Sequence, residues 1–145
     1  MTRYAIDAAV ALEIAAGSLR VHEAHSLVGP GRLRSDAMAI LFAAVRAGSL
    51  EADQGLAQLD ALATVKMRLL NDRVSRAVAW TIAAARARDG LGATAGVPVS
   101  EYLGAAEYFA VASLQADALI ALDPTLTAGA VGLVELAPVE ALARA

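Results

Sequence analysis

Two short apolar runs lie near opposite ends of the chain, and each finishes on an aspartate: Arg3-Tyr4-Ala5-Ile6-Asp7 and Ala118-Leu119-Ile120-Ala121-Leu122-Asp123. Continuous apolar runs of this length fit strands buried on both faces, which occur in parallel sheets covered by helices. If both belong to one parallel sheet, the two carboxylates emerge at the same carboxyl edge, where open α/β sheets hold their ligands.

The sequence between them supplies the helices. Ala8 to Ala16 is a run of helix formers halted at Gly17, and Arg20 to His25 reads as a short helical segment before Ser26-Leu27-Val28 and the breaker Gly29-Pro30-Gly31. Leu33, Met38, Leu41, Phe42 and Val45 recur at helical spacing up to a C-capping Gly48. Leu56, Leu59, Leu62 and Ala63 give a second amphipathic helix, and Val65 to Leu70 alternates as a strand. Asn71 or Asp72 then caps a helix expected to bury Val74, Val78 and Ile82, with Trp80 on an adjacent face.

Asp89 to Pro98 is glycine-rich and reads as a loop, and Ser100 as the N-cap of a helix from Glu101 to Gln115. Pro124 suits the first turn of a helix after the strand ending at Asp123, and Gly132 to Leu136 reads as a last strand before a terminal helix near Pro138. With no repeat, low-complexity tract or break, residues 1–145 read as one α/β domain in three layers. Its central parallel sheet has about five strands flanked by helices.

Composition narrows the function classes. Hydrophobic residues make up 58% but aromatics only 4%, which favours close-packed Ala- and Leu-rich helices over a β-sandwich. The lack of cysteine removes disulfide frameworks, thiolate nucleophiles and zinc knuckles, and suits a cytoplasmic location. No apolar stretch is long enough to span a bilayer, and Asp7 and Glu13 interrupt any N-terminal signal, so no membrane role is expected. A net charge of −3 disfavours nonspecific coating of nucleic acid, so any such contact has to come from a local patch.

Asp36, in the first turn after Gly29-Pro30-Gly31, joins Asp7 and Asp123 near the same edge. Three carboxylates converging in a partly desolvated cleft repel one another unless a cation or proton intervenes. Mg²⁺ or Mn²⁺ suits such a set, because these hard ions take oxygen ligands, keep waters, and activate one against a phosphodiester. Each acid also has a plain structural role open to it. An aspartate after a strand caps the next helix, and an acid in a first turn is favoured by the helix dipole.

These residues resemble the PIN-domain ribonucleases, and most closely the VapC-like toxins of type II toxin-antitoxin pairs. Tyr4 to Leu12 resembles the family's opening strand and first acid, Leu27-Val28-Gly29-Pro30 with Leu33 to Ala37 its second acidic segment, and Gly104 to Ala112 with Leu119 to Asp123 its third segment and closing strand. The resemblance implies a Mg²⁺-dependent endoribonuclease in which Asp7, Asp36 and Asp123 are catalytic and hold the metal. It further implies a homodimer, a cognate antitoxin occupying the acidic cleft, and structured RNA such as tRNA as substrate.

The chain departs from the family pattern at the third acid, where Ala105 stands, and at two small hydroxyl positions, Ala9 and Ala121. A site with one carboxylate fewer binds Mg²⁺ more weakly. The alternative is therefore an inactive PIN-like module that binds RNA or a protein partner. Glu101, one helical turn before Ala105, is the candidate substitute acid, whereas Glu107 is expected to point away from that face.

Arg32 and Arg34, close to Asp36, are the candidates for positioning RNA. Lys66, Arg68, Arg73 and Arg76 read as solvated charges or a phosphate-tracking surface. His22 and His25 lack a third ligand nearby, which points to surface or capping roles, and Trp80, Tyr102 and Tyr108 read as core or interface residues. No glycine-rich phosphate loop is present. A receiver-like signalling domain would need a lysine near its last strands, and the only lysine is Lys66.

Overall fold

The sheet has four strands, all parallel: β1 (Arg3–Ile6), β2 (Ser26–Pro30), β3 (Arg68–Leu70) and β4 (Ala118–Ile120), in the order β3-β2-β1-β4. The computed structural model describes residues 1–88 and 96–145. Tyr4 stands opposite Leu27 on one side and Ala118 on the other, and Ala5 opposite Val28 and Leu119. The chain steps outward from β1 to β2 to β3, then lays β4 against the other side of β1. Strand order therefore reverses at β1, and the carboxyl ends of β1 and β4 border the crevice in which such sheets bind ligands. Asp7 directly follows β1, and Asp123 closes the short segment after β4.

Helices flank this sheet: α1 (Ala8–Ala15), α2 (Leu33–Arg46), α3 (Ala52–Leu62), α4 (Arg73–Arg88), α5 (Val99–Gln115) and α6 (Pro124–Gly129), with a 3₁₀ turn at Val139–Ala143. α5 packs on β1, β2 and β4, and buries Tyr108, Phe109, Ala110, Val111 and Ala112. Ile6, Val10, Leu33, Leu62, Leu119, Ile120 and Leu142 complete the core around it. α1 packs against α2 and α3, and ends as expected with a left-handed Gly17; Gly48 does the same after α2.

Several elements differ from the sequence reading. The expected fifth strand over Gly132–Leu136 is absent: Leu133 and Val134 both donate to the carbonyl of Ala130, which coils the chain, so only Leu136 reaches the sheet as a single bridge to Leu119. The strand expected over Val65–Leu70 is confined to Arg68–Leu70. Thr64 and Val65 close a turn off the end of α3 through bonds to Ala61 and Leu62. α5 begins at Val99 with Pro98 at the N-cap, so Ser100 lies inside the helix. The terminal helix is only the 3₁₀ turn, and Arg20–His25 forms a turn rather than a helix, closed by His25 donating to the His22 carbonyl.

The loop assigned to Asp89–Pro98 falls mostly outside the described residues, which resume at Gly96. α4 also buries a different face from the one expected. Ser75, Ala79 and Ala83 are buried, Val78 and Ile82 are half-buried, and Val74 is exposed. The reason is the partner surface: Ala79 and Ala83 meet Ala106 and Ala110 of α5, and small side chains let two helices approach closely. On α2, Met38 and Phe42 likewise face outward, while Leu33, Ala37 and Leu41 hold the core. No helix among the described residues is long and apolar enough to cross a membrane.

Candidate active-site cleft

Asp7, Asp36, Glu101 and Asp123 line one cavity of about 390 Å³ at the carboxyl edge, together with Arg32, Gly104, Ala105 and Tyr108. Four of the expected site residues are thus brought together with a fifth, Arg32. Arg34 is not: it sits exposed on α2 outside the cavity lining.

Asp7 is almost fully buried, and its carboxylate is bonded on both oxygens. Oδ1 accepts the Val10 N–H at 2.8 Å, capping α1, and Oδ2 accepts the N–H groups of Leu122 and Asp123 at 2.9 Å each. This one side chain fastens the start of α1 to the segment that leaves β4. Burial pushes its carboxyl above the ordinary aspartate range, opposed by the three backbone donors and reinforced by the charge of Asp123. Asp123, by contrast, is exposed and caps α6 by accepting the Thr125 N–H at 2.9 Å.

Asp36 is held by two residues. Arg32, one turn earlier, donates from Nε to Oδ2 at 2.9 Å and to Oδ1 at 3.2 Å, and from Nη2 to Oδ1 at 3.1 Å. Tyr108 donates its hydroxyl to Oδ2 at 2.8 Å. The phenol is held far above its ordinary range by burial first, then by the bond to Asp36 and the charges of Asp36 and Asp7, so it stays a donor. Arg32 Nη1 also reaches Glu107 Oε2 at 3.3 Å. The guanidinium lies directly against Gly104, where a Cβ would stand 2.6 Å from its Cζ.

Glu107 lies outside the cavity lining, away from the Ala105 face as expected, but its carboxylate still reaches Arg32. Tyr108 is a core residue as expected, at 4% exposure, but also a cleft residue. One signal could have revealed the network: an arginine four residues before Asp36, facing a helix whose missing Cβ at Gly104 precedes Glu107 by one turn.

The donor set does not fit Mg²⁺ or Mn²⁺ as arranged. Asp36 has both oxygens committed to a guanidinium and a phenol, position 105 contributes no oxygen, and Asp7 is engaged by three backbone donors. Only Asp123 and Glu101 offer exposed carboxylates, whereas hard divalent ions favour several oxygens around them.

The histidines lie elsewhere. His25 bonds through Nε2 to the Arg144 carbonyl and packs edge-on to Tyr4 at 5.1 Å, while the His22 N–H donates to the Leu142 carbonyl, so both pin the C-terminal segment. Trp80, expected in a core or interface, is 71% exposed on α4. No protein-family model matches the chain, and no curated protein matches it.

Proposed function

We propose that this chain is a PIN-like, VapC-like domain that binds RNA and has lost the hydrolytic step. The observation that carries this reading is a pair of exposed arginines on the same helix face as an exposed aromatic. Residues 61–80 hold Lys66, Arg68, Arg73 and Arg76 against the single acid Asp72, in a chain of net charge −3. Arg73, Arg76 and Trp80 follow helical i, i+3, i+7 spacing on one exposed face of α4. Guanidinium groups track phosphates, and an exposed indole stacks a base, which together suit a single strand. The loss of hydrolysis follows from Ala105 and from Arg32 sitting on Asp36.

A second reading, a Mg²⁺-dependent endoribonuclease, is favoured by the convergence of Asp7, Asp36, Asp123 and Glu101 in one cavity. An antitoxin-like partner, a homodimer and a cytoplasmic location belong to both readings. The exposed Met38, Phe42 and Leu56 on α2 and α3 offer such a partner apolar surface.

The test is fluorescence anisotropy with a labelled single-stranded RNA in EDTA, across a salt series, followed by gel analysis in Mg²⁺. Wild type should bind with strong salt dependence, Trp80→Ala should bind about tenfold more weakly, and the RNA should remain intact. Absence of binding would sink the proposal. Cleavage abolished by Asp7→Asn would establish the second reading instead.

A further inference from the structure

Of the described residues that line the acidic cavity with Asp7, Asp36, Glu101 and Asp123, Arg32 is the only cation, and it is paired with Asp36. We propose that Arg32 is the resident cation of this cleft. Its guanidinium engages both oxygens of Asp36, the acid a divalent ion would need to recruit, so the cleft takes up no Mg²⁺ or Mn²⁺ while Arg32 stays.

Several independent observations converge on this. The guanidinium is not a surface charge that happens to touch an acid. It donates to both oxygens of Asp36 and, through a different nitrogen, to Glu107 on α5, so it ties the start of α2 to α5 across the cleft. Such forked pairing is the strong, orienting kind of ion pair. The guanidinium fills the space left by the missing Cβ at Gly104, and a side chain there would displace this flexible arginine end. Tyr108 then fixes the same Asp36 oxygen from the other side with a hydroxyl that burial keeps protonated.

Position 105 completes the picture. A carboxylate there would stand next to Gly104 and give a metal its missing oxygen; Ala105 gives none. A dication entering the cavity would have to separate Asp36 from Arg32 and would then face the repulsion of that guanidinium. Mg²⁺ holds its waters tightly and gains little from two or three peripheral carboxylates. Arginine is suited to the role, since it stays protonated and is weakly hydrated. The PIN-like reading enters in the choice of ion and of position 105 to test; the geometry of Arg32 stands without it.

The experiment is Mn²⁺ titration of the full chain by calorimetry, comparing wild type, Arg32→Gln, Gly104→Ala, Ala105→Asp and the Arg32→Gln/Ala105→Asp pair. Gly104→Ala expels the guanidinium without deleting its charge, and serves if Arg32→Gln does not fold. Wild type and Ala105→Asp should show no binding at millimolar Mn²⁺, Arg32→Gln should gain at least tenfold, and the pair should bind most tightly. In parallel, the Arg32 Nε–H resonance of ¹⁵N-labelled wild type should escape paramagnetic broadening by Mn²⁺. Binding by Ala105→Asp with Arg32 intact, no gain in any Arg32 or Gly104 variant that folds, or broadening of the wild-type Nε–H signal overturns the proposal. Loss of RNA binding in EDTA would defeat the RNA-binding reading and leave this result untouched.

Discussion

Asp7→Ala separates a structural role for the buried carboxylate from a purely ligating one. The substitution leaves three backbone donors, at Val10, Leu122 and Asp123, without their acceptor. Hydrogen bonds to an ionised group contribute about 1.5–3 kcal/mol each. The gross loss is therefore several kcal/mol, offset in part because the variant no longer buries a carboxylate that burial disfavours. A net destabilisation of about 3 kcal/mol follows, or roughly 10 °C in Tm for a chain of this size.

Asp123→Ala provides the control, because it removes one cap bond at an exposed position and should cost only about 1 kcal/mol. Urea unfolding at pH 7 followed by circular dichroism measures both, with the slope of each transition expected to stay constant. In a cluster kept only to hold metal, deleting one acid relieves repulsion and stabilises the metal-free protein. If Asp7→Ala were neutral or stabilising, or if Asp123→Ala cost as much, the assignment of Asp7 as the fastener between α1 and the segment after β4 would be wrong.

Three further outcomes follow from the same contacts. Against Asp7→Asn, wild type should gain stability as pH falls from 7. Its folded pKa lies above the ordinary 3.8, so the native state takes up the proton first and the gain levels off below 3.8; urea midpoints of both proteins between pH 7 and 4 read the sign directly. Tyr108→Phe should cost about 1 kcal/mol by releasing Asp36 Oδ2, and the difference in absorbance at 295 nm between it and wild type should show no phenol ionising near the ordinary value of about 10. Ala106→Leu, at a position with no exposed surface between α4 and α5, should destabilise by about 1–3 kcal/mol through overpacking, whereas Ala77→Leu on the exposed face of α4 should stay within about 0.5 kcal/mol in the same urea assay.

The strands that lead to Asp7 and Asp123 were legible as short apolar runs buried on two faces, although β4 ends at Ile120 rather than at Asp123, which caps α6. α2, α3 and α5 were legible from periodicity and from the glycines that end or flank them. The fifth strand was not, since Gly132–Leu136 has the composition of a strand, and the turn at Ala130 that coils it depends on two backbone bonds with no side-chain signature. The buried face of α4 is illegible for a similar reason. Valine and isoleucine outrank alanine in hydrophobicity, but α5 presents alanines there, and close approach of the helices selects Ala79 and Ala83 instead.

In the cleft, the sequence marked the acids and not the full set of groups that hold Asp36. Arg32 reads as a charge available to RNA; its i, i+4 spacing to Asp36 hints at a pair, but its contact with Gly104 of α5 arises only in the packed fold. Glu107 stays off the cavity lining, as its position on α5 implies, yet it pairs with Arg32 at the N-cap of α2, seventy-five residues earlier, and that pairing exists only once the two helices are packed.

The Leu136 bridge has a consequence for how copies of this molecule can meet. Leu119 donates its outward N–H to the Glu135 carbonyl at 2.8 Å, and its own carbonyl accepts the Ala137 N–H at 2.9 Å. The β4 side of the sheet thus presents no free pairing groups at its centre to a foreign strand. The opposite margin is β3, which spans three residues and begins with the exposed Arg68, and short charged borders of this kind resist templated growth. Strand addition is therefore disfavoured at both margins, and association with another chain is directed to the helical faces.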